Sequence, residues 1–99
     1  MKVEYSKAFV KAVKKQSGKQ LQSIKRMIEE VKEATSVEQI TDCLKMSGFE
    51  HVYRIKIGSQ RAFFVLIIDP ETDTVIFQYL VSRGEAYKKY FQEQLKRVD

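Results

Sequence analysis

Long hydrophobic runs are missing from this sequence: no stretch approaches the roughly 20 apolar residues that a membrane-spanning helix needs. The opening MKVEYSKAF also lacks the apolar centre of a signal peptide, so a cytoplasmic protein with no membrane partner is expected. Cysteine is nearly absent. The single Cys43 excludes an intrachain disulfide, fits a reducing compartment, and reads as a small apolar side chain at the edge of a core. Four glycines and one proline leave little material for a flexible linker or a low-complexity tail. No histidine, cysteine or carboxylate cluster has the spacing of metal ligands, and no glycine-rich loop precedes a helix. Neither a metal nor a cofactor is expected.

What is present is charge of one sign. Eighteen Lys and Arg face thirteen Asp and Glu, a surplus of +5 on 99 residues. Such a surplus favours polyanions by long-range attraction and counterion release, and it equally suits an acidic protein partner. The chain is long enough for one core, so residues 1–99 are expected to form one domain.

The pattern divides the chain into a helical front and a strand-rich back. Lys2–Tyr5 alternates and predicts a short strand, with Ser6 placed to cap a helix carrying Phe9 and Val13. Ser17-Gly18 breaks that helix. Leu21, Ile24, Ile28 and Val31 then form one apolar stripe on a longer helix, predicting a helical hairpin. Val37, Ile40 and Leu44 suggest a short turn of helix. From His51 the period becomes two: Val52–Ile57, Arg61–Ile68 and Thr74–Ser82 read as an antiparallel meander, with a Pro70 turn before the last strand. Tyr53, Ile55, Ile57, Phe63, Val65, Ile67, Phe77 and Val81 are its expected core. Gly84–Val98 reads as a closing basic amphipathic helix. The class is α+β, with helices covering one face of the sheet.

Four cations stand out within that plan. Arg54 and Lys56 share one strand face, about 7 Å apart. Arg61 begins the next strand and Arg83 ends the third, so the meander gathers Lys56, Arg61 and Arg83 at one end, with Arg54 a step behind. Guanidinium forks and an ammonium so grouped suit a phosphate, although charges on an open sheet face also serve solubility. Tyr87 can stack on a base or share a proton; Tyr90 reads first as packing its helix onto the sheet beside Phe91 and Leu95. His51, the sole histidine, precedes the first meander strand at the end opposite Arg61 and reads as a loop residue.

The order of elements, with Tyr53-Arg-Ile-Lys-Ile-Gly58, Arg61, and Val81-Ser82-Arg83 followed by Tyr87, resembles the RelE/ParE toxin superfamily over almost the whole chain. The resemblance implies the toxin of a type II toxin–antitoxin pair. Its RelE-like branch cleaves messenger RNA on the ribosome; its ParE-like branch inhibits DNA gyrase without hydrolysis. Arg54, Lys56, Arg61, Arg83 and a late tyrosine match the positions of the first branch. Gly58 departs from it, since some ribonucleases carry another base there, and so does Gln60, where an aromatic is common.

The activity so implied is metal-independent. The RNA 2′-hydroxyl attacks the adjacent phosphate and leaves a 2′,3′-cyclic phosphate. Lys56 would take the 2′ proton, made less basic by its cationic neighbours, and Arg61 would hold the phosphorane. Arg83 would donate a proton or serve as a second clamp, with Tyr87 sharing the transfer. Arg54, Lys56 and Tyr90 would contact RNA. The partners implied are an antitoxin, messenger RNA and the ribosome, and operator DNA bound by the toxin–antitoxin complex. A gyrase inhibitor, or a member that keeps the fold and only binds antitoxin or DNA, remains the alternative.

Overall fold

Residues 1–99 are all described by the structure, a computed structural model. The strand β1 (Lys2–Tyr5) leads into the helices α1 (Lys7–Lys14) and α2 (Gly18–Glu33). A single 3-10 turn over Val37–Gln39 precedes a three-residue strand β2 (Cys43–Lys45). The meander follows as β3 (Val52–Ile57), β4 (Gln60–Ile67) and β5 (Thr74–Ser82), and the chain closes with α3 (Arg83–Ala86) and α4 (Lys89–Val98). The five strands form one sheet in the order β1-β5-β4-β3-β2, antiparallel except for the parallel pair β1–β5. This is the α+β plan that the sequence predicts: strand, two helices, meander, terminal helix.

Ser6 shows how the hairpin is fastened to that sheet. Its hydroxyl accepts from Phe9 N at 3.0 Å as the N-cap of α1, and donates to Gln78 O at 2.6 Å. Gln78 is the extra residue of a bulge, because Phe63 pairs with Tyr79 while its neighbour Phe64 pairs with Phe77. The bulge frees a carbonyl from the ladder, and the cap residue takes it up. Phe9 then stacks on Phe77 with ring centroids 4.8 Å apart.

Three features differ from the sequence reading. The first is β2, in place of the rest of a helical turn: Asp42, at φ +55°, reverses the chain and lets Cys43–Lys45 pair with β3. The second is a break at Tyr87-Lys88, which divides the closing helix into α3 and α4. The third is that helices cover both faces of the sheet. The face toward α1 and α2 holds Ile55, Ile57, Ala62, Phe64, Leu66, Val75, Phe77 and Leu80. On the other, Val52, Phe63 and Val65 pack with Phe49, Ala86, Phe91 and Leu95. Phe63 and Val65 are therefore core residues of the second face, while Ile67 runs past both layers and is 46% exposed.

The C-terminal end of α4 is clamped to the loop before β3. Phe49 is buried, and Lys96 Nζ lies 4.0 Å from its ring centroid while donating to Gly48 O. The Asp99 carboxylate accepts from Glu50 N at 3.0 Å and His51 N at 2.7 Å, with His51 Nδ1 at 3.6 Å. Those amide donors, Glu50 first and then His51, hold the Asp99 carboxyl below its ordinary range.

Two stability measurements follow. Ser6→Ala removes both the cap and the partner of the bulge carbonyl, and should cost about 1–2 kcal/mol in urea unfolding; an unchanged midpoint would mean that neither bond contributes. For Asp99, a lowered folded-state pKa means the stabilisation is fully present above about pH 4 and fades as pH falls further. The stability gap between the parent and Asp99→Asn should thus be constant at neutral pH and close in acid. A gap that widened in acid would contradict the clamp.

Candidate nucleic-acid interface

The β3–β4 turn is the foundation of the cationic cluster. Ile57 pairs with Gln60, leaving Gly58-Ser59 as a two-residue turn with Gly58 at φ +57°. Gln20 Nε2, from α2, donates to Ile57 O at 3.0 Å, so a Cβ at position 58 would lie 3.2 Å from Gln20 Oε1. Backbone conformation and crowding both select glycine there. This is the physical reason that no further base stands at Gly58.

The same register sets Lys56 directly opposite Arg61, with Arg61 opposite Val81 in turn. Arg54 is one step back, opposite Phe63. All three cations lie on the face that α4 partly covers, and Ile55 lies on the other, as alternation requires. Lys56 is exposed and Arg54 half-buried, but Arg61 is only 4% exposed. Its Nη1 donates to Gly58 O and Gln60 O, each at 2.9 Å, so the guanidinium is folded onto its own turn. The Nε groups of Arg54 and Arg61 are both buried and have no partner. A buried donor left unpaired costs about 1–3 kcal/mol, and like charges paired directly across strands repel. An anion docked against this face would offset the repulsion.

Arg83 N donates to Ser59 O at 2.9 Å, which holds the start of α3 beside the turn and leaves the Arg83 side chain exposed. Topology thus brings Lys56, Arg61 and Arg83 to one end of the sheet, as the sequence predicts. Tyr87 is 64% exposed and Tyr90 53% exposed. Tyr90 accordingly does not pack α4 onto the sheet. Phe91 and Leu95, four residues apart, fill that role, and Phe91 reaches the rings of Phe63 and Tyr79 at 5.0 and 5.5 Å. Glu85, which the sequence reading passes over, accepts from the Tyr90 hydroxyl and lies 2.8 Å from Lys88 Nζ. The i, i+3 spacing of Glu85 and Lys88 is the signal that could have found it.

His51 sits at the far end of β3 in the Asp99 clamp, away from the cations. Cys43 is half-buried against the helical-hairpin core, and burial pushes its thiol up to about 11, against a smaller opposing pull from Arg54. No three His, Cys, Asp or Glu side chains converge as a metal-ligand set, and no helix is long and apolar enough to cross a membrane.

No family model matches the chain. The fold is nonetheless that of the RelE toxins. The isolated RelE toxin of E. coli superposes with a TM-score of 0.66 over 99% of this chain and 98% of its own, at 19% identity. RelE–RelB from Pyrococcus horikoshii OT3 gives 0.67 over 86% and 97%, at 18% identity. The RelB–RelE antitoxin–toxin complex from Methanococcus jannaschii gives 0.70 over 89% and 98%, at 30% identity. A curated sequence, toxin RelE3 of Methanocaldococcus jannaschii, is 34% identical over 88 residues, 88% of this chain and 96% of its own length. The chain belongs to the RelE toxin family.

The raised Cys43 thiol carries a prediction. At pH 8 only a small fraction would be thiolate, so alkylation in the folded protein should be far slower than in urea. Equal rates in both states would show that burial does not protect this thiol.

Proposed function

We propose that this chain is the toxin of a toxin–antitoxin pair and cleaves messenger RNA on the ribosome, without a metal, leaving a 2′,3′-cyclic phosphate. The observation that carries the reading is the cross-strand pair Lys56–Arg61, with Arg54 behind it and two buried guanidinium Nε donors lacking any acceptor. In this reading Lys56 takes the 2′ proton, and Arg61 supplies positive charge to the phosphorane. Arg83 clamps the phosphate or returns a proton to the leaving oxygen. Tyr87, exposed at the α3–α4 break, shares that transfer, and Tyr90 with Arg54 contacts the RNA.

The partners follow from the same reading: ribosome-bound messenger RNA as substrate, and an antitoxin that masks Lys56, Arg61 and Arg83. That antitoxin would contribute an extended, anionic segment, because several cations must be covered at once. The M. jannaschii and P. horikoshii relatives were solved as RelB–RelE complexes, and the E. coli toxin was solved in an intact RelBE complex as well as alone, which supports this assignment. Operator DNA would be bound by the pair, and the site of action would be the cytoplasm. A second reading, gyrase inhibition without hydrolysis, is favoured by one observation, the folding of Arg61 onto its own turn.

Reconstituted translation with defined messenger RNA tests the proposal. The purified protein should cut the message only on ribosomes, and Lys56→Ala should slow cleavage by about 10²–10⁴-fold. Lys56 is exposed, so this variant should keep the parent melting temperature, whereas Arg61→Ala also loses two bonds to the turn. Intact message with inhibited DNA supercoiling would select the gyrase reading and sink this one.

A further inference from the structure

Glu85 is the one anion in the segment from Arg83 to Lys89, where Arg83, Lys88 and Lys89 are cations. Ser82 and Glu85 have the S-x-x-E spacing of a capping box, in which the glutamate bends back to the amide of the cap residue. Only half of that box is made. Ser82 Oγ accepts from Glu85 N at 3.3 Å, but the Glu85 carboxylate crosses the break at Tyr87-Lys88 and meets α4 instead. There its Oε1 lies 2.8 Å from Lys88 Nζ, and its Oε2 accepts from the Tyr90 hydroxyl.

Two donors from α4 thus converge on one anion, each on its own oxygen. The nonbridging oxygens of a phosphodiester offer the same pair of acceptors and the same single charge. The carboxylate is also easily displaced, because its pair with Lys88 is open to solvent and such pairs contribute little. An exposed lysine alone would need no account. Here it stands beside two exposed rings, Tyr87 and Tyr90, on which bases can stack and for which an acidic peptide has no counterpart. The position is close to the cationic cluster. Arg83 N donates to Ser59 O at 2.9 Å, and α3 covers only Arg83–Ala86 before the break. A helix of that length rises roughly 6 Å.

We infer that Lys88 Nζ and the Tyr90 hydroxyl form a second phosphate subsite, for an RNA phosphate flanking the one held at Lys56 and Arg83. Glu85 is the internal anion that fills this subsite when RNA is absent, and RNA binding exchanges one anion for the other. That the ligand is RNA rests on the nuclease reading; the competition between Glu85 and a phosphodiester requires no cleavage.

The test uses the full chain, isotopically labelled, and a short RNA with every 2′-hydroxyl methylated, which can bind but cannot be cut. The amide signals of Glu85, Lys88 and Tyr90 should shift on titration, and Glu85→Gln should tighten binding about fivefold. Losing a negative charge could raise affinity in any background, so the same change is made in Lys88→Ala/Tyr90→Phe. There the gain should vanish, and Glu93→Gln, at an exposed position of α4, should give a clearly smaller one in the parent. Circular dichroism checks that each variant melts like the parent. An equal gain from Glu85→Gln in both backgrounds, no gain in either, or signals unmoved by millimolar RNA would overturn the inference. So would a short glutamate peptide that moves these signals where RNA does not, which would make this a protein-binding site. Message cut on ribosomes without the Glu85 coupling would remove the subsite and keep the nuclease; the coupling with message left whole would do the reverse.

Discussion

The burial of β4 on both of its faces is the constraint from which the other layers follow. Ala62, Phe64 and Leu66 point into the core beneath α1 and α2, while Phe63 and Val65 point into the one closed by α4. A strand buried twice cannot slip, because moving it by one residue would exchange both sets of side chains at once. Its register with β3 and β5 is therefore fixed by apolar packing, at about 1.5–3 kcal/mol for each large side chain fully buried. That fixed register is what places Lys56 against Arg61, a pairing that electrostatics alone would avoid. The core imposes the cationic cluster, and the cluster draws on the stability of the core.

Much of this was legible in the residues. The strand limits followed from period-two alternation, α1 and α2 from their stripes and from Ser6, and the grouping of Lys56, Arg61 and Arg83 from meander topology alone. β2 was not legible. Three residues are too few to show a period, and Cys43–Lys45 is a strand because β3 offers it an open edge. The second covered face had a signal that went unused: residues 62–66 are apolar at every position, as a strand covered on both sides must be. The exposure of Tyr90 hid behind the break at Tyr87-Lys88, which divides the closing helix into α3 and α4. No pattern announced the folding of Arg61 onto the carbonyls of Gly58 and Gln60, because it depends on the turn that Gln20 and Gly58 shape together.

The two ends of α4 are held differently. At its C-terminal end, Asp99, Lys96 and Phe49 join helix to loop by charge, hydrogen bonds and a buried ring. At its N-terminal end stand exposed Tyr87 and Tyr90 and the solvent-facing pair Glu85–Lys88, a contact worth little on its own. The end nearer the cations is held instead by the buried Ala86 and Phe91, which leaves the rings of Tyr87 and Tyr90 open to a ligand.

The bulge at Gln78 works as a phase shifter. Up to Phe77 the odd-numbered residues of β5 face the helical hairpin; beyond it the even-numbered Leu80 does, and Tyr79 and Val81 turn toward α4. Parity thus decides which way the chain leaves the sheet at Ser82. A β5 lacking only Gln78 would pair Phe64 and Phe63 with consecutive residues and keep every face, Arg83 included, but would lose the carbonyl that Ser6 takes up. A single residue gained or lost in the regular part of this strand, with the bulge kept, would instead turn Arg83 to the face opposite Lys56.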